Sequence, residues 1–388
     1  MYNRYLKMNL PKGQSCFLWG ARKTGKSTYL KTHFPNAKVY DFLKTDVLMT
    51  LTQAPHLLRE QVLALNEQQV AQPIILDEIQ KIPILLNEVH WLIENTSAYF
   101  ILCGSSACKL RRGAANLLGG RAWRYMFYPL TYVEIPDFDL LHALNNGLIP
   151  SHYSKASATK DIDAYIQVYL KEEIQDEGLV RNLRVFSHFL DALAYSHGQQ
   201  INYTNIARDV GINATTVKAY FQILEDTLIG YQIYPYRKKV GRDIITATPK
   251  FYLFDVGIVN GLSARQIPAL KGNAAGDAFE HYILMELISY RELNDLKFEI
   301  CYWRSKTGLE VDFVLGHGEI AIEVKISKQV EKQHLKGLIA FSQDYRPKHA
   351  IVVSLDTAPR KIQIENTAGI LILPWEVFLR RLWNKEFI

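Results

Sequence analysis

The sequence predicts an α/β fold built as a P-loop NTPase core followed by further domains, and three observations predict it. Short apolar runs alternate with helical stretches from Cys16 to about Pro129, the rhythm of a parallel sheet covered on both faces. A glycine-rich segment, GARKTGKS at Gly20–Ser27, directly follows the first of those runs. A second group of strand-like segments lies between about Glu299 and Ser354, after a helix-rich middle. At 388 residues the chain exceeds the size at which single cores stop growing, so two or three domains are expected.

Composition narrows the class. Hydrophobic residues make up 48% and charged residues 22%, a globular balance with no long polar tract. A net charge of +6 permits a nucleic-acid partner without requiring one. Cys16, Cys103, Cys108 and Cys301 are scattered, so neither a zinc site nor a disulfide framework follows. The first fifteen residues hold no apolar stretch of signal-peptide length, and no later run approaches the roughly 18 apolar residues of a membrane span. A cytoplasmic protein with no membrane partner is the expectation.

Strands are predicted at Cys16–Trp19, Lys38–Phe42, Ile74–Leu76, Tyr99–Cys103 and Trp123–Phe127. Leu85, Val89 and Leu92 fall on one face of a helix that packs on this sheet. The first domain is set at 1–136. Residues 137–160 lose the rhythm and collect Asn, Gly, Pro, Ser and Ala, which predicts an inter-domain connection. Within 161–265, Phe186, Phe189, Leu190 and Leu193 mark an amphipathic helix. A short helix at Tyr203–Val210, a turn at Gly211 and a second helix capped by Asn213 and running to Leu224 then form a helix-turn-helix. Tyr231–Phe254 would supply a wing, which makes the middle a winged-helix domain. The last domain, 266–388, opens with the helix AGDAFEHYILMELISY and continues with strands around Glu299–Trp303, Leu309–Leu315, Ile320–Ile326 and Ala350–Ser354.

The segment at Gly20–Ser27 satisfies G-x-x-x-x-G-K-[ST] between a strand and a helix. Such a loop turns its backbone N–H groups toward phosphate oxygens, its lysine reaches the outer phosphates, and its hydroxyl ligates magnesium. Gly20, Ala21, Lys23, Thr24, Gly25, Lys26, Ser27 and Thr28 are the expected nucleotide-binding residues. The strand PIILDEIQ ends in Asp77, placed to position magnesium, and Glu78, placed to polarise the attacking water. The next strand ends at Ser105 and Ser106, where a polar side chain would sense the terminal phosphate. Arg111, Arg112, Arg121 and Arg124 are candidates for an arginine supplied in trans.

GARKTGKST, LDEIQKIP, CGSSACKL and NLLGGRAWRYMFYPLTYVE together resemble the AAA-type ATPases of bacteria and archaea that carry a C-terminal domain of unknown function. GLIP at Gly147–Pro150, YLKEEIQDEGLV, the helix-turn-helix and FYLFDVGIVNGL extend the likeness over nearly the whole chain. The resemblance implies an AAA-like core using ATP and Mg2+, a winged-helix middle and a C-terminal restriction-endonuclease-like domain. It also implies a homo-oligomer in which Arg121 of GGR serves a neighbouring subunit, although Gly119 stands where a residue such as alanine is usual.

In the last domain, LEVDFV and IAIEVKI both alternate apolar and charged residues, the mark of half-buried strands. A hairpin closing over His317 and Gly318 would put Asp312 opposite Glu323 and Glu310 opposite Lys325 on one face. Two carboxylates beside a lysine suit a divalent cation that activates water against a phosphodiester. With Glu280 on the preceding helix, the set resembles the PD-(D/E)XK nuclease pattern, with Glu280, Asp312 and Glu323 as ligands of a second cation, Mg2+ or Mn2+, and Lys325 as a catalytic group. A salt-bridged cluster on a scaffold that binds without cutting remains the open alternative.

Basic residues follow the helix-turn-helix. Arg237, Lys238, Lys239 and Arg242, with Lys250 behind them, would sit on a wing against phosphates, and Lys218 would face the groove from the second helix. DNA is favoured over RNA. His197, His281 and His317 occur in no ligand spacing and read as ordinary histidines. Three functions stay open: an ATP-driven enzyme acting on nucleic acid, an ATP-switched regulator or scaffold, and a protein-remodelling ATPase.

Overall fold

The computed structural model describes residues 2–105, 118–170, 180, 182–237, 248–365 and 367–388. The chain divides into two compact units, the first comprising residues 1–129, 172–181 and 222–229, and the second 130–171, 182–221 and 230–388.

The first unit runs β1 (Ser15–Trp19), α1 (Lys26–His33), β2 (Val39–Asp41), α2 (Thr45–Gln53), α3 (His56–Leu63), α4 (Glu67–Val70), β3 (Ile74–Asp77), α5 (Leu85–Asn95), β4 (Phe100–Gly104) and β5 (Ala122–Met126). The strands form one parallel sheet in the order β2-β3-β4-β1-β5. All five lie within a residue or two of their predicted limits. β3 and β4 are buried at every position, which is why they read as unbroken apolar runs rather than alternating ones. Phe42, Leu58, Leu76, Leu92 and Phe100 are fully buried in this unit's core.

Register sets the site. Trp19 pairs with Gly104, and Asp77 with Cys103, so the carboxyl ends of β1, β3 and β4 open at one edge of the sheet. That edge is where open α/β sheets bind ligands.

The second unit contains α6 (Leu140–Asn146), α7 (Pro150–Tyr153), α8 (Thr159–Ala164), α9 (Leu183–Ser196), α10 (Tyr203–Val210) and the start of α11 (Ala214–Asp226). It continues with β6 (Gly230–Ile233), β7 (Lys250–Leu253), α12 (Val256–Leu262), α13 (Asn273–Leu293), β8 (Ile300–Arg304), β9 (Glu310–Leu315), β10 (Ile320–Lys325), α14 (Lys336–Tyr345), β11 (His349–Ser354), β12 (Arg360–Ile362), β13 (Ile370–Pro374) and α15 (Trp375–Trp383). β6 and β7 form an antiparallel pair, and β12-β13-β11-β10-β9-β8 form a mixed sheet. In that sheet β11 is parallel to both β10 and β13, while β9 is antiparallel to β8 and β10.

The helix-turn-helix has its expected parts. Gly211 ends α10 at φ 75°, and the Asn213 side chain accepts the Thr216 N–H at 2.7 Å. The second helix runs two residues past the expected Leu224.

Residues 137–160, expected as an irregular connection, instead form α6, α7 and the start of α8, with Leu144 and Ile149 fully buried. Their polar residues serve helix ends rather than a solvated linker. The Asp139 carboxylate accepts the His142 N–H at 2.9 Å, and Asn146 Nδ2 donates to the Lys155 carbonyl at 2.8 Å. Gly147, at φ 74°, leaves room for Asp255, whose Oδ1 lies 2.0 Å from where a Cβ would stand. The Asp255 carboxylate in turn accepts the Leu148 N–H at 2.7 Å.

Among the described residues, no helix is long and apolar enough to cross a membrane. Strands β12 and β13 and helices α14 and α15 were not foreseen.

Buried acids in the second unit predict a pH-dependent stability. Glu286 on α13 accepts the Trp383 indole N–H and the Tyr132 N–H, each at 2.8 Å. Burial raises its pKa to about 7, against the opposing pull of those two donors. Because the folded pKa lies above the usual 4.5 of a glutamate, this stabilisation is full below that value and is lost as pH rises through about 7. Melting temperature should therefore fall between pH 5 and pH 8, with a shallower slope in Glu286→Gln. Identical slopes in thermal melts of the two proteins would contradict the assignment.

Candidate nucleotide site and carboxylate cluster

The phosphate loop begins where β1 ends. A Cβ on Gly20 would stand 2.1 Å from the Phe127 carbonyl oxygen, so only glycine passes there. Lys23 and Gly25 take left-handed conformations, at φ 61° and 102°, and between them they curl the loop. Buried Thr24 donates its hydroxyl to the Ala21 carbonyl at 2.8 Å, and Arg4 donates to the Thr24 carbonyl at 2.6 Å, which holds the loop from behind. Helix α1 starts at Lys26 with no side-chain cap and no acidic residue in its first turn. Its leading N–H groups are thus left for an anion.

Lys26 is buried, and its ammonium donates to the Gly20 and Ala21 carbonyls at 2.6 and 3.1 Å. The Ser27 hydroxyl donates to Asp77 Oδ2 at 2.8 Å. Asp77 Oδ1 is buried with no hydrogen-bond partner among the described residues. A hydroxyl beside a carboxylate with one unpaired buried oxygen is a donor set that fits magnesium. Thr28 is exposed.

Glu78 sits in the left-handed region at φ 62°, which costs of order 1 kcal/mol or more for a non-glycine residue. Gln80 secures it by donating Nε2 both to Glu78 Oε2 and to the Ser105 hydroxyl, the latter at 3.1 Å. Gln80 is therefore a candidate site residue that the sequence reading missed, because its contact with Ser105 joins residues far apart in the chain. Gly104 is held to glycine by the same contact, since a Cβ there would meet Gln80 Oε1 at 2.4 Å.

Arg121 lies at the other end of the sheet. It precedes Ala122, which pairs with Ser15 at the start of β1, while Met126 pairs with Trp19 at its end, so five residue rises of about 3.3 Å, or about 16 Å, separate it along the strands from the end that carries the loop. Its guanidinium is ion-paired with Glu94 on α5. Ser106, Arg111 and Arg112 lie outside the described residues.

In the second unit, Leu315, Val314 and Phe313 pair with Ile320, Ala321 and Ile322, the register expected from the turn. Beyond this the ladder gives way, and Asp312 Oδ2 accepts the Val324 N–H at 2.7 Å. Lys325 Nζ lies 2.6 Å from Glu323 Oε1 and 3.9 Å from Asp312 Oδ2. Glu323 Oε2 is buried and has no hydrogen-bond partner among the described residues. Burial and then the nearby charge of Glu280 raise Asp312 to about 6, while burial and then Asp312 raise Glu323 to about 8. Burial alone would lower the Lys325 pKa, but Asp312 and Glu323 outweigh it and raise the value.

Residues 12–136 match the AAA domain family. Residues 138–268 and 275–376 match two further families, each described only as a domain of unknown function, DUF8612 and DUF4143. An uncharacterized protein of Mycobacterium tuberculosis is 27% identical over 249 residues, covering 62% of this chain and 55% of the relative. The chain thus spans about half the length of that protein. An uncharacterized protein of Methanocaldococcus jannaschii is 24% identical over 436 residues, covering 95% of this chain and 85% of the relative. Among solved structures, the Aeropyrum pernix ORC1 protein in complex with DNA is similar at 14% identity and a TM-score of 0.27, covering 65% of this chain and 86% of that one.

Two expectations for the second unit are corrected. Glu310 does not face Lys325; it pairs with Arg304 across β8 and lies 2.5 Å from the Lys250 ammonium. Lys250 is accordingly not a wing residue exposed to phosphates. β7 is buried at all four of its positions, and an ammonium carried inside needs counter-charges. It finds Glu310 and also Glu280, at 3.5 Å. Glu280 Oε1 accepts the Tyr252 hydroxyl as well, at 2.6 Å. Among the described residues, no three metal-ligating side chains converge, so Asp312 and Glu323 stand as a pair, with Glu280 held by other partners.

The remaining basic residues divide. Lys218 is exposed and lies 5.3 Å from the centre of the Tyr203 ring. Arg237 is exposed, and Lys238, Lys239 and Arg242 lie outside the described residues. His197 and His281 bracket one residue: the Leu253 N–H donates to His197 Nε2 at 3.1 Å, and His281 Nε2 lies 2.6 Å from the Leu253 carbonyl.

Proposed function

We propose that this chain is an ATP-hydrolysing AAA-type protein that acts on nucleic acid. The observation that carries the ATPase part of the reading is the Ser27–Asp77 contact, set beside an anion-ready helix end and backed by the Glu78–Gln80–Ser105 relay. Magnesium held by Ser27 and Asp77 would neutralise phosphate charge. Lys26 exchanges the Gly20 and Ala21 carbonyls for the outer phosphates, Glu78 orients the attacking water, and Gln80 links that glutamate to Ser105, which reports on the terminal phosphate. Arg121 acts on a neighbouring subunit, which makes the active form an oligomer.

The helix-turn-helix at α10 and α11, followed by the β6–β7 pair, supports a winged-helix unit, with Lys218 and Arg237 on its exposed side and DNA favoured as partner. The order of helix α13, the β8–β9–β10 strands and the β10–β11 parallel pair supports a restriction-endonuclease-like fold. Asp312 and Glu323 fit two ligands of a second divalent cation, Mg2+ or Mn2+, with Lys325 beside them. The pairing of Glu280 with Lys250 and Tyr252 favours a second reading of this domain, a nuclease-like scaffold that binds without cutting.

One experiment separates these readings. ATP turnover is measured with and without single- and double-stranded DNA, while cleavage is followed in added manganese. Stimulation of turnover by DNA supports action on nucleic acid, and its absence favours a protein-remodelling role. If the C-terminal site cuts, Asp312→Ala loses nicking and cation binding but keeps its ATPase activity. If neither the wild-type protein nor the variant nicks DNA or RNA, the scaffold reading stands.

A further inference from the structure

We propose that Lys250 is a built-in counter-cation of the carboxylate cluster, drawing Glu280 and Glu310 to itself and so opposing the binding of a divalent cation at Asp312 and Glu323. The proposal rests on the reading of that carboxylate pair as cation ligands. It makes Lys250 a positioning residue, one that acts through Glu280.

The geometry is specific. Lys250 and Tyr252 are two residues apart on β7, and side chains at that spacing share one face of a strand. From that face both take hold of the same oxygen of Glu280, the ammonium at 3.5 Å and the phenol at 2.6 Å. The ammonium reaches Glu310 at 2.5 Å and lies 5.4 Å from the centre of the Tyr302 ring. It is 5% exposed, so water screens these contacts little. Two residues from Glu310 on β9, and so on the same face of that strand, Asp312 shares a second lysine, Lys325, with Glu323, whose buried Oε2 has no partner among the described residues.

The cluster thus holds four carboxylates, Glu280, Glu310, Asp312 and Glu323, against Lys250, Lys325 and the more exposed Arg304. A divalent cation entering beside Asp312 meets this positive charge and lacks Glu280 as a third ligand. Removing the Lys250 charge lowers the repulsion and releases one of the two groups that hold Glu280, leaving the Tyr252 hydroxyl. A unit charge a few ångströms from a divalent cation, at an effective dielectric of about 20, is enough to change affinity by about tenfold or more.

The test is manganese binding to the full chain, followed by titration calorimetry, with the Asp312-dependent part isolated by adding Asp312→Asn. Lys250→Met should tighten that part by about tenfold or more relative to wild type. Because this single change leaves two inward carboxylates without their partner, Lys250→Met combined with Glu310→Gln serves as the second variant; it removes one charge of each sign and should show a smaller gain in the same direction. Cooperative melts confirm that both variants are folded. Equal affinity in wild type and in both variants overturns the counter-cation role while leaving the cation site intact. No Asp312-dependent binding in any of the three overturns the counter-cation role and the cation reading together.

Discussion

Lys26→Ala should reduce ATP hydrolysis to background, a loss on the order of 10²- to 10³-fold from the removal of one charge-stabilising donor, and should weaken nucleotide binding as well. Lys26 is buried beside the loop carbonyls, so its ammonium is already desolvated and stands close to where the outer phosphates would lie. Alanine leaves no group able to replace it. Glu78→Gln should separate the two effects. The amide keeps the size and much of the hydrogen bonding that Gln80 provides, so nucleotide still binds, but it cannot accept a proton from the attacking water. Phosphate release and fluorescent-nucleotide binding by the purified variants check both expectations. Wild-type turnover in either variant would remove the assignment.

Arg121→Ala should lower turnover by about 10³-fold, the usual scale for an arginine supplied across subunits, with nucleotide binding little changed. The separation from its own loop along the sheet rules out a direct contact within one subunit, and the Glu94 ion pair is exposed enough to exchange at low cost. Mixing Arg121→Ala with Lys26→Ala subunits should then restore part of the activity, because a shared site can draw an intact loop from one subunit and an intact arginine from the other. Sizing in ATP should show oligomers. If the protein remains monomeric in ATP at full activity, the arginine has no role in trans.

Much of this molecule was legible in local pattern. The five parallel strands of the first unit follow from apolar runs punctuated by glycine and helix signals. The phosphate loop is a contiguous motif, because its chemistry depends on consecutive backbone N–H groups. The β9–β10 register was also readable, since a slip of one residue would have turned Asp312 and Glu323 toward the apolar face. Each of these depends on residues close together in the chain.

What local pattern left open depends on residues far apart in sequence. Gln80 became a site residue only when β3 and β4 lay side by side and brought it to Ser105. Residues 137–160 looked like a linker by composition, yet Asp139 caps α6, Gly147 ends it, and a distant carboxylate, Asp255, secures the turn at Gly147 and Leu148. Lys250 read as a solvated wing cation until the burial of β7 set it between Glu280 and Glu310. Sequence spacing orders residues along one strand or helix and so determines which side chains share a face. Which charges a buried ammonium meets is decided by packing between elements dozens of residues apart, because the cost of burying a charge is offset only by partners that the fold itself brings near.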